Sequence, residues 1–376
     1  MIKKDFIYFL LIVFLFTACK QGSKSTFLIE GKITNLKSPE LYIVCGYNQD
    51  NLSVDTIMSN KDGRFSFRGI ADSLSSVIIY MEEGKVWTTV WVQNGQRIIL
   101  SGNATYPELI LAKGNDINEL LSEFRTKNRD VLKERQDLLD RKNALGVIDT
   151  ISSDIVNESQ YVSKILNLNY TLKDRVEAFV KGNPASFASL ILIQDYVIAL
   201  GELNDALKYL GYMQGEVTQT TCYKDLLKKV NEMIIRIKNA ETGSIAPDFS
   251  IITTDKKDTL TLKSFKDKYL LLSFSASWCE FCEGSYRDLV KLRKTVDKKK
   301  LGMVTIALDQ DKIAWQNLAK REKLDWYQFI DTLGWRSQVA YIYNVNEIPA
   351  NILIDKDGVI IGRDLPVDSL IRIFNP

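Results

Sequence analysis

The stretch "YLLLSFSASWCEFCEGSYRDLVKLRKTV", Tyr269 to Val296, decides how the chain is read. From Tyr269 to Ala276 it is a mostly apolar run, as in a central strand of a parallel sheet that is buried on both faces. From Ser285 onward apolar residues recur among charges at helical spacing. A strand-to-helix junction is therefore predicted, and Cys279 and Cys282 stand in it. Unpaired amides and the macrodipole at a helix N-terminus favour negative charge, which lowers the pKa of a sulfur placed there. Cys279 is the candidate nucleophile. Cys282, one helical turn along, can reach back to attack a mixed disulfide and release the partner. Trp278 is expected either to shield the sulfurs and add a contact surface or simply to pack. Glu280 reads as a proton carrier or as a solvated helix-start carboxylate.

The rest of the composition narrows the chemistry. The 376 residues include no histidine, which removes Ser-His and Cys-His catalysis, imidazole proton shuttles and His-containing zinc sites. A structural zinc needs four ligands, and the remaining cysteines, Cys19, Cys45 and Cys222, form no second CxxC. No metal and no cofactor are expected. A purely structural disulfide would close so small a loop that it would stabilise little. Lys plus Arg, at 49, nearly balance Asp plus Glu, at 47, so no nucleic-acid surface is expected.

Downstream, "LGMVTIALD" reads as a second buried strand, "DKIAWQNLAKRE" as a helix, and "NVNEIPANILIDKDGVIIGR" as strand, Asp357-Gly358 turn and strand. A helix from about Val367 to Phe374 closes a mixed sheet with helices on both faces. Together with "GSIAPDFSI" and "TLTLKSFKDKYLLLSFSASWCEFC", these motifs make residues 243–376 resemble the thioredoxin fold, in its periplasmic TlpA/ResA-like branch. The resemblance implies a thiol-disulfide oxidoreductase. It also implies a cis bond at Ile348-Pro349 facing the cysteines, with the Ile348 backbone presented to an extended substrate segment. Phe281 stands where this branch commonly has proline, Ala350 where threonine is common, and Ser273 where thioredoxin has a buried aspartate. The dipeptide between the cysteines tunes the redox balance, so these residues do not fix the direction of electron flow. A reductase is the expectation over an oxidase or isomerase. "APDFS" also opens peroxiredoxins, but their motif has proline and threonine seven and three residues before the cysteine, where this chain has Leu272 and Ala276.

Upstream lie two further zones, so the expected fold class is multidomain: all-β, then α-helical, then α/β. Residues 27–114 read as short strands such as "FLIEGKI", "LYIVCGY" and "RFSFRGI", with Asp62-Gly63 and Asn94-Gly95 as hairpin signals of an antiparallel sandwich or barrel. This zone resembles the β-rich domain of unknown function in front of thioredoxin-like modules in lipoproteins of Gram-negative bacteria. Residues 115–242 read as helical. Phe124, Val131, Leu138 and Leu145 recur every seven residues, which predicts one long amphipathic helix, either a partner-binding arm or a spacer packed on its neighbours. Gly182-Asn183-Pro184 reads as a stop, and Ser186 as the cap of a further helix. Cys45 and Cys222 are expected to be buried and unbridged.

Residues 1–18 read as a signal: Lys3 and Lys4 precede an apolar run from Phe6 to Phe16, too short for a permanent span of about 20 residues. "FTAC" resembles a bacterial lipoprotein signal, in which Cys19 becomes the lipidated first residue and residues 19–26 a tether. An outer-membrane anchor with the body in the periplasm is expected. The expected partners are periplasmic proteins with thiols or disulfides, an inner-membrane electron donor, and the membrane itself through Cys19. The different-class alternative is a binding or scaffold lipoprotein whose thioredoxin-like domain is not its main activity.

Overall fold

The computed structural model describes residues 26–46, 52–71, 73–82, 86–145, 154–252 and 259–374. The expected signal and the lipidation site at Cys19 lie outside the described residues. The chain forms two compact units, Met1–Asn231 and Glu232–Pro376.

In the first unit, strands β1 (Phe27–Thr34), β2 (Glu40–Gly46), β3 (Leu52–Met58), β4 (Arg64–Gly69), β5 (Ser75–Met81), β6 (Val86–Val92), β7 (Arg97–Asn103) and β8 (Leu111–Lys113) build two four-stranded sheets. Their orders are β4-β1-β7-β8 and β3-β2-β5-β6. Alternation along β1 sends Phe27, Ile29 and Ile33 inward, where they share one core with Leu41, Ile43, Ile79 and Val90 of the other sheet. Two expectations need correction. The sandwich is not wholly antiparallel, because β1 and β7 pair in parallel. The Asp62-Gly63 and Asn94-Gly95 turns do not close hairpins but carry the chain from one sheet to the other. Turn chemistry fixes the local bend, not the neighbour of the strand that follows. The bend itself is well built: Asn60 Oδ1 accepts the Asp62 and Arg64 N–H groups at 2.9 Å each. Gly63 sits at φ 73°, where a Cβ would stand 1.9 Å from the Ile33 carbonyl oxygen.

The helices are α1 (Asp116–Lys127), α2 (Arg129–Leu145), α3 (Asp154–Gly182), α4 (Phe187–Tyr196), α5 (Leu203–Leu210) and α6 (Thr221–Asn239). The single long helix expected from the heptad pattern is broken at Asn128, which has φ −109° and ψ 19°. Its side-chain amide donates to the Phe124 carbonyl at 2.7 Å and its Oδ1 accepts from Arg175 at 2.8 Å. Asparagine competes with the helix ladder in this way without disturbing the apolar period, so Phe124, Val131 and Leu138 stay buried. Ser186 caps α4 as expected, accepting the Ala188 N–H at 3.1 Å. Asn118 of α1, itself buried, accepts from the Trp91 N–H at 3.0 Å and donates to the Trp91 carbonyl at 2.7 Å, which ties the first helix to β6.

In the second unit, β9 (Ile251–Ile252) and β10 (Thr259–Leu260) make a small ribbon. A five-stranded sheet has the order β13-β12-β11-β14-β15, from β11 (Tyr269–Ser275), β12 (Leu301–Ala307), β13 (Tyr327–Ile330), β14 (Ala350–Ile354) and β15 (Ile360–Arg363). β11 is central, parallel to β12 and antiparallel to β14, which gives the mixed sheet expected. The helices are α7 (Cys282–Thr295), α8 (Lys312–Arg321), α9 (Gln338–Ile342) and α10 (Val367–Phe374). Leu270, Leu272 and Phe274 pack with Val339 and Tyr343 on one face. Leu271 packs with Leu289, Leu292 and Leu370 on the other. Burial on both faces explains why β11 reads as an unbroken apolar run.

Candidate active site

β11 ends at Ser275, and the chain turns through Ser277 and Trp278 into Cys279. Cys282 is the first residue of α7, so the two cysteines straddle the helix start. They are joined by a disulfide with an S–S distance of 2.09 Å. The Cys282 N–H donates to the Cys279 carbonyl at 3.1 Å, which keeps the turn tight. The two residues are unequally accessible: Cys279 is 8% exposed and Cys282 0%. An incoming group therefore meets Cys279 first. The Ile348-Pro349 bond is cis, as the resemblance implies, and the Ile348 carbonyl oxygen lies 3.9 Å from Cys279 Sγ. In the dithiol state that sulfur carries a hydrogen it can donate to this carbonyl.

Three buried groups that the sequence did not single out hold the turn. Tyr286 of α7 accepts from Ser275 Oγ at 2.7 Å and donates to the Ala276 carbonyl at 2.9 Å. Burial pushes its hydroxyl up to about 12, so it stays protonated and keeps donating. Asp309, just beyond β12, accepts the Ser277 N–H and, at 2.8 Å, the Ser277 hydroxyl. The Leu308 carbonyl accepts the Trp278 indole N–H at 3.2 Å. Tyr286→Phe removes the acceptor of the buried Ser275 hydroxyl and leaves the Ala276 carbonyl with only the Cys279 N–H at 3.2 Å, and is expected to lower stability by about 1–3 kcal/mol. A urea midpoint for the isolated change equal to that of the wild type would contradict this reading of the network.

The other expected residues fall around the pair. Trp278 and Phe281 are exposed. Glu280 is exposed and, with Glu283, lines a groove of about 430 Å³ beside Cys279, across from Asn317 and Arg321 of α8. Pro349 is exposed and Ile348 half-buried. Ser273 lies buried, 2.7 Å from the Thr305 hydroxyl. Trp335, which no sequence pattern marked, comes to 6.4 Å from Trp278 between ring centroids. Among the described residues no group of three or more Cys, Asp or Glu could hold a metal ion, and no helix is long and apolar enough to cross a membrane.

Cys45 and Cys222 are free and buried. Burial, with a smaller contribution from Asp55, pushes the Cys45 thiol up to about 12, and burial pushes Cys222 up to about 11. Both are too protonated near neutral pH to react as thiolates. In the reduced native protein, iodoacetamide is expected to modify Cys279 and to spare Cys45 and Cys222 until the chain is unfolded. Peptide mapping by mass spectrometry reads this directly, and early labelling of Cys45 or Cys222 would refute it.

Comparison with known proteins adds the following. Residues 241–370 match the Redoxin family model, and residues 27–121 match a domain of unknown function, DUF4369. The thiol-disulfide oxidoreductase ResA of Bacillus cereus (strain ATCC 10987 / NRS 248) is 30% identical over 141 residues, covering 38% of this chain and 75% of that one. Its counterpart in Bacillus thuringiensis subsp. konkukian (strain 97-27) is 31% identical over 121 residues, covering 32% and 68%. Among solved structures, a thiol-disulfide oxidoreductase from Bacteroides fragilis NCTC 9343 is 31% identical, with 36% of this chain and 98% of that one covered and a TM-score of 0.33.

Proposed function

The chain belongs to the ResA family of thiol-disulfide oxidoreductases, and we propose that it exchanges the Cys279-Cys282 dithiol with disulfides of partner proteins outside the cytoplasm. The unequal burial of the two cysteines carries this reading, because it assigns them different roles. In the reducing direction the Cys279 thiolate attacks a partner disulfide. A mixed disulfide forms, and the partner's other sulfur leaves as a thiolate. Cys282, deprotonated, then attacks Cys279 Sγ; the intramolecular disulfide forms and the second partner thiolate is released. Two electrons pass to the partner, and protons from solvent complete its thiols. The Ile348 carbonyl supplies a main-chain acceptor beside Cys279 for an extended partner segment. We take reduction as the working direction, with electrons supplied by an inner-membrane dithiol.

The pattern of residues 1–19 supports export and a lipid tether at Cys19, holding the body in the periplasm at the outer membrane. Fatty-acid labelling tests the tether: Cys19→Ala should lose all label, and label that persists would remove it. The exchange reaction is tested by mixing the reduced protein with a disulfide-bonded protein such as insulin. Two thiols should be lost from this chain for each disulfide opened, and absence of transfer would overturn the reading.

A further inference from the structure

The indole N–H of Trp315, on α8, is buried and finds no hydrogen-bond acceptor among the described residues, and the residue as a whole is 0% exposed. A buried donor left unpaired costs stability, and few are kept in native folds. The ring stands among the neighbours of the cysteine pair. Trp315 shares one buried cluster with Cys279, Cys282 and Tyr286. Its ring lies 6.0 Å from that of Tyr286 at 70°, and Tyr286 follows Cys282 by one helical turn on the same face of α7. Ala314 and Leu318, on either side of it in α8, line the groove that Cys279 also lines. The other side-chain donors of the cluster are spent: Tyr286 donates to the Ala276 carbonyl at 2.9 Å, and the Trp326 indole to Thr305 Oγ1 at 2.8 Å. Only the two sulfurs gain acceptor strength during a redox cycle, because a thiolate accepts far better than a disulfide sulfur.

We infer that the Trp315 N–H is held for the Cys282 sulfur: unpaired in the disulfide, it donates to the Cys282 thiolate in the state that attacks the mixed disulfide. This rests on the oxidoreductase reading above. In that step the Cys282 thiolate bonds to Cys279 Sγ, the bond from Cys279 to the partner breaks, and the partner's sulfur leaves with the electron pair. The proton that Cys282 gave up is balanced by the one the released thiolate takes from solvent. Water does not solvate a sulfur that is 0% exposed, so its charge needs a fixed donor. The charged groups around the pair do not replace that donor. Glu280 and Glu283 at the groove, and Asp309 behind Ser277, oppose a further negative charge. Arg321, also at the groove, favours one, but Glu322 engages its guanidinium at 2.8 Å. The start of α7 favours the thiolate, and Trp315 adds a directed N–H bond to it.

The test mixes the pre-reduced full chain with dithiobis(nitrobenzoate), an aromatic disulfide whose thiolate is coloured on release. The first thiolate reports attack by Cys279, at a rate that follows reagent concentration; the second reports closure by Cys282, at a rate that does not. In Trp315→Phe, which keeps an aromatic ring and loses the N–H, the pH midpoint of the second phase should rise by about one unit. About a tenth as much thiolate, offset in part by its greater nucleophilicity, makes that phase about threefold slower at neutral pH, with the first phase unchanged. Leu324→Ala, which opens a cavity in the same cluster without removing a donor, should leave the midpoint in place. A midpoint unmoved in Trp315→Phe, or moved as far by Leu324→Ala, would reduce Trp315 to packing and overturn the inference. The wild type gives an independent reading. In nitrogen-15-labelled protein the Trp315 indole N–H resonance should titrate with the second-phase midpoint when the pair is reduced, and stay constant over that range when it is oxidised. A resonance constant in both states overturns the inference even where Trp315→Phe does not fold. Wild-type protein that shows no second phase would instead overturn the oxidoreductase reading, and this inference with it.

Discussion

Cys279→Ser is expected to lower disulfide exchange by on the order of a thousandfold or more while leaving the chain folded. Serine has nearly the shape of cysteine, but its oxygen cannot form the sulfur–sulfur bond to the partner. Any residual exchange would have to pass through Cys282, which is fully buried behind the turn. The small loop lost with the disulfide contributes little to stability. The unfolding midpoint should therefore move slightly while the rate of insulin reduction collapses. A variant that keeps more than about a tenth of the wild-type rate would show that the sulfurs do not divide the work as their burial implies.

Cys282→Ala is expected to have the second-largest effect, of a different kind. The first step needs only the Cys279 thiolate, so partners should still be captured. The step that frees them needs a second reactive sulfur, and the described alternatives, Cys45 and Cys222, are buried and held protonated. Mixed disulfides through Cys279 should accumulate, visible as reducible bands on a non-reducing gel and as partner peptides linked to Cys279 in mass spectra. The double change Cys279→Ser with Cys282→Ala should capture nothing. Prompt release of partners by the Cys282→Ala protein would deny Cys282 its resolving role.

How much of this was legible in the sequence follows the range of the forces concerned. β11 was legible because burial on both faces leaves an unbroken apolar run, and the cysteines because a strand end and a helix start bracket them. Ile348-Pro349 came from resemblance, not from any local pattern, and the cis bond stands where it was expected. The short edge strand Tyr327–Ile330 went unread, since it is only half-buried and shows no clean alternation. The break at Asn128 was hidden because the apolar period runs straight through it. The parallel pairing of β1 with β7 joins segments far apart in sequence, and no turn signal bears on such a choice. Asp309 and Tyr286 look like a strand-end acid and a core aromatic until the fold brings them to the turn that holds Cys279. Trp335 is legible only once the loop that carries it is seen to stop beside Trp278.

Equilibration of the Cys279-Cys282 pair with glutathione buffers of graded ratio, followed by thiol trapping and mass measurement, tests the central claim most directly. A working reductase site should show one two-electron transition near about −270 mV, with Cys45 and Cys222 reduced throughout. A disulfide that stays closed in the most reducing buffer, with a potential below about −300 mV, would mark the pair as a structural staple and contradict the account.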